Sequence, residues 1–207
     1  MPLLVPPAPA PALRSILNAL GSPTALPGAR TFGVRPSPPR VPAGPLTTEL
    51  SLPVHTMDGV GSRRPGAARP VAPRTRLSGW RFQLRGPAGP PAAAAQAGLT
   101  PDGWAFSHFV EGPYVTATER AWRQVESLPA LFQARLLSIP ELYMLTLWLH
   151  RDTASDGLTG HPAPEDLLVP LAPAPPGIAA HRPYRVADLL PRLSDRLSPA
   201  PLLRTTA

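Results

Sequence analysis

The sequence predicts an α+β fold in which a small, mostly antiparallel sheet of about five strands packs against two helices. A long Pro/Arg-rich, largely irregular N-terminal segment is expected to precede this domain. The chain has 33 prolines in 207 residues, with the excess towards the N terminus. Proline removes backbone donors and restricts the residue before it, so this part is not expected to form a continuous strand or helix. Strand and helix periods appear only from about Trp80 onwards.

The composition therefore divides the chain into a flexible segment at 1–76, a compact α+β domain at 77–200 and a tail at 201–207. Residues 1–100 carry eleven arginines against Glu49 and Asp58, a net charge of +9. Residues 101–207 carry nine arginines against eleven acids, a net charge of −2. An anionic partner would consequently meet the N-terminal segment first.

A short helix at 12–20 is the exception within the N-terminal segment. Leu13, Ile16, Leu17 and Leu20 share one helical face, and Gly21 follows as a residue suited to the position after a helix. Such a stripe favours either local packing or a docking helix that binds in the groove of a partner. These four residues are the candidate partner-binding site.

The domain is predicted to begin near Leu77, because Trp80–Arg85 alternates apolar and polar residues as a half-buried strand does. Residues 86–97, rich in proline and alanine, are interpreted as a loop. A tight turn at Thr100–Gly103 and a strand at Trp104–Val110 should follow. Thr116 and Glu119 have the spacing of a capping box, which predicts a helix over Ala117–Leu128.

The remaining elements follow from runs of apolar residues. Leu142–His150 is apolar on both faces, as in a strand at the centre of a covered sheet, although its leucines also allow a helix. The other expected elements are a strand at Leu131–Ile139, a polar loop at 152–165, a strand at Asp166–Leu171 and a final helix marked by Val186, Leu189, Leu190, Leu193 and Leu197.

Candidate catalytic or metal-binding residues are few. The chain contains no cysteine, which excludes disulfides, thiolate catalysis and cysteine-ligated metals. His108 with Glu111 could form an acid–base or metal site, and a loop containing His150, Asp152, His161 and Asp166 could supply metal ligands. Each set also fits ordinary structural or solvated side chains. No phosphate loop, dinucleotide fingerprint or serine elbow occurs, and we predict no cofactor.

A cluster of arginines is the candidate anion-binding site. A mobile basic arm attracts phosphates without sequence preference, and arginines also keep a proline-rich linker solvated. The candidate residues are Arg63, Arg64, Arg69, Arg74 and Arg76, with Arg81 and Arg85 continuing the cluster.

The function expected from these features is a non-enzymatic protein–protein interaction or assembly module, with a folded C-terminal domain and an extended basic arm that binds a partner. One alternative is a small metal-dependent or acid–base enzyme that uses His108 and Glu111 or the His150 loop. The other alternative is non-specific nucleic-acid binding through the arm. No run is long and apolar enough to span a membrane, and the first residues lack a secretory pattern, so a cytoplasmic location is expected.

Overall fold

A computed structural model of the chain describes residues 3–21, 46–62, 72–86 and 93–197. Within these ranges the chain forms nine strands, three α-helices and a 3-10 turn at Pro140–Leu142. In chain order the elements are β1 (Leu3–Leu4), α1 (Ala10–Gly21), β2 (Thr47–Asp58), β3 (Arg74–Arg85), β4 (Ala93–Thr100), β5 (Gly103–Val110), α2 (Pro113–Val125), β6 (Phe132–Ile139), β7 (Met144–His150), β8 (Leu167–Pro170), β9 (Tyr184–Arg185) and α3 (Val186–Leu197).

All nine strands belong to one mixed sheet, in which eight follow the order β5-β4-β3-β2-β6-β7-β8-β9 and β1 lies off this path. Strands β2 to β5 form a first antiparallel meander, and strands β6 to β9 form a second. The two meanders meet where β2 runs parallel to β6, with Val54 opposite Leu136. β1 also pairs in parallel with β6, at Phe132 and Gln133, beside the start of that strand.

The predicted fold class is therefore wrong: the sheet is mixed and has nine strands rather than about five, and three helices pack on it rather than two. The largely irregular N-terminal segment is part of the same error, since β1, α1 and β2 lie within the first 76 residues. The prolines of this segment were expected to prevent a continuous strand, yet Thr47–Asp58 is a strand and Pro53 is buried within it. Pairing of β2 with β6 starts at Val54, so the missing backbone N–H of Pro53 removes no hydrogen bond to β6.

The expected loop at 86–97 is the second correction, because Ala93–Thr100 is strand β4. Ala93, Ala95 and Ala97 pack in one cluster with Ile16 of α1 and Phe82 of β3. Alanine is uncommon in strands, and a run of alanines shows no alternation of apolar and polar residues. The stability of β4 therefore depends on its packing against neighbouring elements.

Most other expected elements are present. The strand predictions for β3, β5, β6, β7 and β8 are confirmed, as is the helix α3, and β7 is a strand rather than a helix. Helix α2 is present but begins earlier than expected, at Pro113. Thr116 lies inside this helix and donates to the Pro113 carbonyl (3.2 Å), so the proposed capping box does not form.

Each helix covers its own cluster of apolar side chains. Helix α2 packs on one face of the sheet through Ala117, Ala121 and Val125, against residues such as Leu136 and Leu147. On the opposite face, α3 covers the ends of β6 to β8, and α1 covers β3 to β5. The loop 151–166 lies on the same face of the sheet as α1 and α3, where it is hydrogen-bonded to Gln133 and Arg135 of β6.

Candidate functional site

A layer of buried polar side chains lies on the sheet face opposite α2, beneath the loop 151–166. Side chains alternate across a strand, so Leu136 and Leu147 face α2 while Arg135 and Trp148 face the loop. The layer also contains His55 of β2, His150 of β7 and Asp166 at the start of β8. Sequence patterning did not find this layer, although polar residues within the apolar run of β6 were a signal for it.

Asp166 is fully buried and accepts four hydrogen bonds. Its Oδ2 accepts from Trp148 Nε1 (2.7 Å), His150 Nδ1 (2.7 Å) and the Ala163 backbone N–H (2.9 Å), and its Oδ1 accepts from the Arg151 backbone N–H (2.9 Å). Four donors on two oxygens replace the hydrogen bonds to water that burial removes. Asp166 thereby fastens both ends of the loop to the sheet.

Arg135 is also fully buried and holds the middle of the same loop. Its Nε donates to Gln133 Oε1 (2.7 Å), Nη1 donates to the Thr159 carbonyl (2.6 Å), and Nη2 donates to Ser155 Oγ (2.7 Å) and the Asp156 carbonyl (3.0 Å). Burial lowers the pKa of Arg135, and the nearby carboxylates oppose this effect.

Trp148 connects the two buried charges. The guanidinium carbon of Arg135 lies 4.7 Å from the centre of the Trp148 ring, and the indole N–H donates to Asp166. Arg135 over the face of the ring and Asp166 at its N–H edge carry opposite charges, which compensate each other in this layer.

The chemistry available to the His150–Asp166 pair is limited by its surroundings. Asp166 fixes the Nδ1–H tautomer of His150, which is how a carboxylate orients a general base. Among the described side chains, however, no serine or threonine hydroxyl is hydrogen-bonded to His150, and no group of three His, Asp or Glu residues could hold a metal. Asp152 and His161 from the predicted metal loop are exposed and do not join the pair. The role that the geometry supports is to anchor the loop.

His108 and Glu111, the other candidate pair, are both exposed and are not hydrogen-bonded to each other. His108 lies on β5, where its Nδ1 is 2.9 Å from Ser107 Oγ. The part of the ring that is shielded from water, together with the charge of Arg81, lowers the pKa of His108, which favours the neutral ring. The structure does not assemble an acid–base or metal site there.

The helical stripe of α1 lies against the chain's own sheet. Ile16 is fully buried, Leu13 and Leu20 pack partly against β3 to β5, and Leu17 is 50% exposed. Binding of these residues to a partner stays a prediction, with Leu17 as the member that faces solvent.

The predicted anion-binding arginines have different positions. Arg63, Arg64 and Arg69 lie outside the described residues. Arg74 is exposed at the start of β3, and Arg76 pairs with Asp58 (3.3 Å). Anion binding by this cluster stays a prediction.

An apolar crevice of about 640 Å³ is lined by residues of the segments 4–9 and 153–158, which touch where Pro6 packs on Gly157. Leu4, Val5 and Leu158 are exposed at its walls, and Trp80 lies beneath it. The Trp80 side chain has no exposed surface, and its indole N–H has no hydrogen-bond partner among the described residues. The crevice is the seam between the N-terminal segment and the loop 151–166.

The two ends of the sheet differ in a way that bears on binding. One end is β9, with two residues, beside α3. The other end is β5, whose eight residues include no Asp, Glu, Lys, Arg or Pro. Among the described strands β5 pairs with β4 alone, so its outer backbone groups have no strand partner. We call this outer side of Gly103–Val110 the β5 edge.

Comparison of the chain with protein-family models, with curated protein sequences and with solved structures finds no match in any of the three. Within the described part of the chain, no helix combines the length and the apolar character that crossing a membrane requires.

Proposed function

We propose that this protein is a non-enzymatic assembly module, and that two copies join through their β5 edges. The observation that supports this most directly is the β5 edge itself: eight residues of strand, none of them an acid, a lysine or an arginine, paired on one side among the described strands. Such an edge presents a row of backbone donors and acceptors to another strand. The expected cytoplasmic location stays a prediction.

The features that proteins use to prevent edge pairing are mostly missing from β5. Short strands, charged side chains, proline, bulges and a covering helix or loop are the usual means. Of these, β5 has a bulge, where Ser107 is the additional residue opposite Gln96 and Ala97 of β4. Helix α1 packs against β5 through Leu13 and Leu20, which lie in one cluster with Trp104 and Phe106. At the opposite end of the sheet, β9 is protected by its length of two residues.

A second copy of the chain is the occupant that these features favour. Two identical edges can pair about a twofold axis, and the joined sheet then ends in β9 on both sides, so the assembly closes as a dimer. Because none of the eight residues of β5 is an acid, a lysine or an arginine, the paired strand residues themselves bring no such like charges together. Exposed Leu17 on α1 and Leu99 on β4 lie beside β5 and would enlarge the apolar contact.

The test is Ala105→Lys, which places a charge on the β5 edge at an exposed position. We expect the wild-type chain to form a dimer in sedimentation experiments over a range of concentrations. The variant should weaken dimerisation at least about tenfold, because each copy would then carry a charged lysine on the edge that pairs, and a charge on an edge strand opposes pairing. Ala154→Lys is the matched control, since Ala154 is equally exposed but lies in the loop 151–166.

A wild-type chain that stays monomeric at all concentrations would overturn the proposal. A dimer that Ala105→Lys and Ala154→Lys affect equally would also overturn it, because the contact would then lie elsewhere. Circular dichroism of both variants establishes that the fold is retained.

A further inference from the structure

We propose that the face of the first meander that also carries Gln83 binds a phosphate-type oxyanion at Arg81, with Gln96 and His108 as neighbouring donors. The three residues form a row across three adjacent strands. Arg81 of β3 is the register partner of Gln96 of β4, and Gln96 is the register partner of His108 of β5. Residues opposite one another on a sheet face lie close enough for their side chains to contact a common group.

The guanidinium of Arg81 is unusual in being partly buried without a compensating negative charge. Its Nη2 donates to Gln96 Oε1 (2.9 Å), and its Nε is buried with no hydrogen-bond partner among the described residues. No described carboxylate forms an ion pair with it. Burial lowers the pKa of Arg81 to about 10, because the charged form of the guanidinium is less stable away from water.

The neighbouring arginines on the same sheet are compensated in other ways. Arg76 pairs with Asp58, and Arg85 pairs with Glu49 (2.6 Å) and Glu119 (3.3 Å). Arg81 therefore differs from Arg76 and Arg85 in having no ion pair with a described carboxylate, although all three belong to the same cluster in the sequence. A desolvated charge that lacks a partner costs free energy, and an anion bound at that point would offset this cost.

The orientation of the two neighbours suits an anion. Gln96 accepts from Arg81 through Oε1, so its Nε2 remains a donor. If Ser107 donates to Nδ1 of His108, the ring carries its proton on Nε2 and can donate as well. Three donor side chains match the several acceptor oxygens of a phosphate group better than the two of a carboxylate.

There is also open space beside the row. Gly98 of β4 is the register partner of Gly79 and follows Gln96 on the same face. A Cβ added at Gly98 would meet no atom within 4 Å. Among the described residues, the space above Gly98, next to Gln96 on this face, is therefore open to a ligand.

The experiment is a titration of the full chain with inorganic phosphate at constant ionic strength, followed by calorimetry and by amide NMR. We expect saturable binding that shifts resonances of Arg81, Gln96 and His108. Arg81→Gln should weaken it at least about tenfold, as loss of a charge-assisted hydrogen bond does. His108→Gln should weaken it less. Arg14→Gln, which removes an exposed charge on α1, should bind phosphate as the wild type does.

Thermal unfolding separates this role from a purely structural one. Without phosphate, Arg81→Gln should be at least as stable as the wild type, because the variant no longer buries an uncompensated charge. Phosphate should raise the Tm of the wild type and leave that of the variant unchanged.

Absence of saturable phosphate binding, or equal binding by Arg81→Gln, would overturn the proposal. Acetate that binds as tightly as phosphate would overturn the choice of a phosphate-type group. Ala105→Lys should retain phosphate binding, so this proposal and dimerisation through the β5 edge can fail separately.

Discussion

His55 lies in the middle of β2 with no exposed surface and stays neutral in the folded protein. Its Nε2 is 3.1 Å from the Gly157 carbonyl, which indicates that Nε2 carries the proton and donates. Its Nδ1 is buried with no partner among the described residues, and the ring meets Trp148 edge to face at 5.3 Å. Burial, together with the charge of Arg135, lowers the pKa of His55 from 6.5 to about 4.

This depressed pKa predicts that acid destabilises the protein. Because the unfolded chain binds the proton more tightly, the stabilising contribution is complete above pH 6.5 and is lost as the pH falls towards 4. A shift of this size corresponds to about 3 kcal/mol. Chemical denaturation at a series of pH values should therefore show the free energy of unfolding decreasing over this range.

His55→Gln keeps a donor for the Gly157 carbonyl but does not titrate, so its stability should depend much less on pH between 6.5 and 4. His161→Gln is the control, since His161 is exposed in the loop 151–166 and its charge is the smallest of the effects that lower the pKa of His55, so most of the pH dependence should remain. Equal pH dependence in the wild type and His55→Gln would contradict the assignment.

At the scale of elements, sequence periodicity predicted the strands and helices whose own residues carry the pattern. β3 alternates apolar and polar residues, β7 carries apolar residues on both faces, and α3 has an amphipathic stripe. β4 was not predicted because its alanines form a strand only by packing against α1. β2 was not predicted because it contains Pro53, which the strand tolerates since pairing with β6 begins after it, at Val54. Both strands depend on contacts with residues that are distant in the sequence, and the local pattern of residues does not reveal such contacts.

The candidate sites show the same limit. His150 and Asp166 were both named as loop residues, but their hydrogen bond depends on the pairing of β7 with β8. Arg81 was one of seven clustered arginines, and its lack of a compensating charge appears only when its neighbours on β4 and β5 are known.

Helix α1 offers a test of how the N-terminal segment is held. Ile16→Ala removes a fully buried side chain and should lower the free energy of unfolding by about 2–5 kcal/mol. Leu17→Ala changes a residue that is 50% exposed and should stay within about 0.5 kcal/mol of the wild type. Urea denaturation measures both. Equal effects of the two substitutions would show that α1 does not dock on β3 to β5 in solution.

At the scale of the whole molecule, the two meanders depend on one strand. β2 pairs with β3 on one side and with β6 on the other, and it supplies Leu52 and Val54 to the cluster beneath α2. The expected domain boundary near Leu77 falls inside β3, which runs from Arg74 to Arg85. The compositional change in the sequence thus marks where prolines become fewer, and the described residues on both sides of it share one sheet.

A fragment of residues 77–207 is therefore expected not to fold by itself. Removing β2 would leave β3 paired with β4 alone and β6 paired with β7 alone, and it would open the cluster beneath α2, a larger loss than a domain of this size tolerates. The fragment should show no cooperative thermal transition and a narrow spread of amide chemical shifts. A fragment of residues 3–197, which retains every described element, should unfold cooperatively. A cooperative transition in the shorter fragment would mean that the second meander and α2 are stable without β2, and the N-terminal residues would then be an attachment to the fold instead of part of its centre.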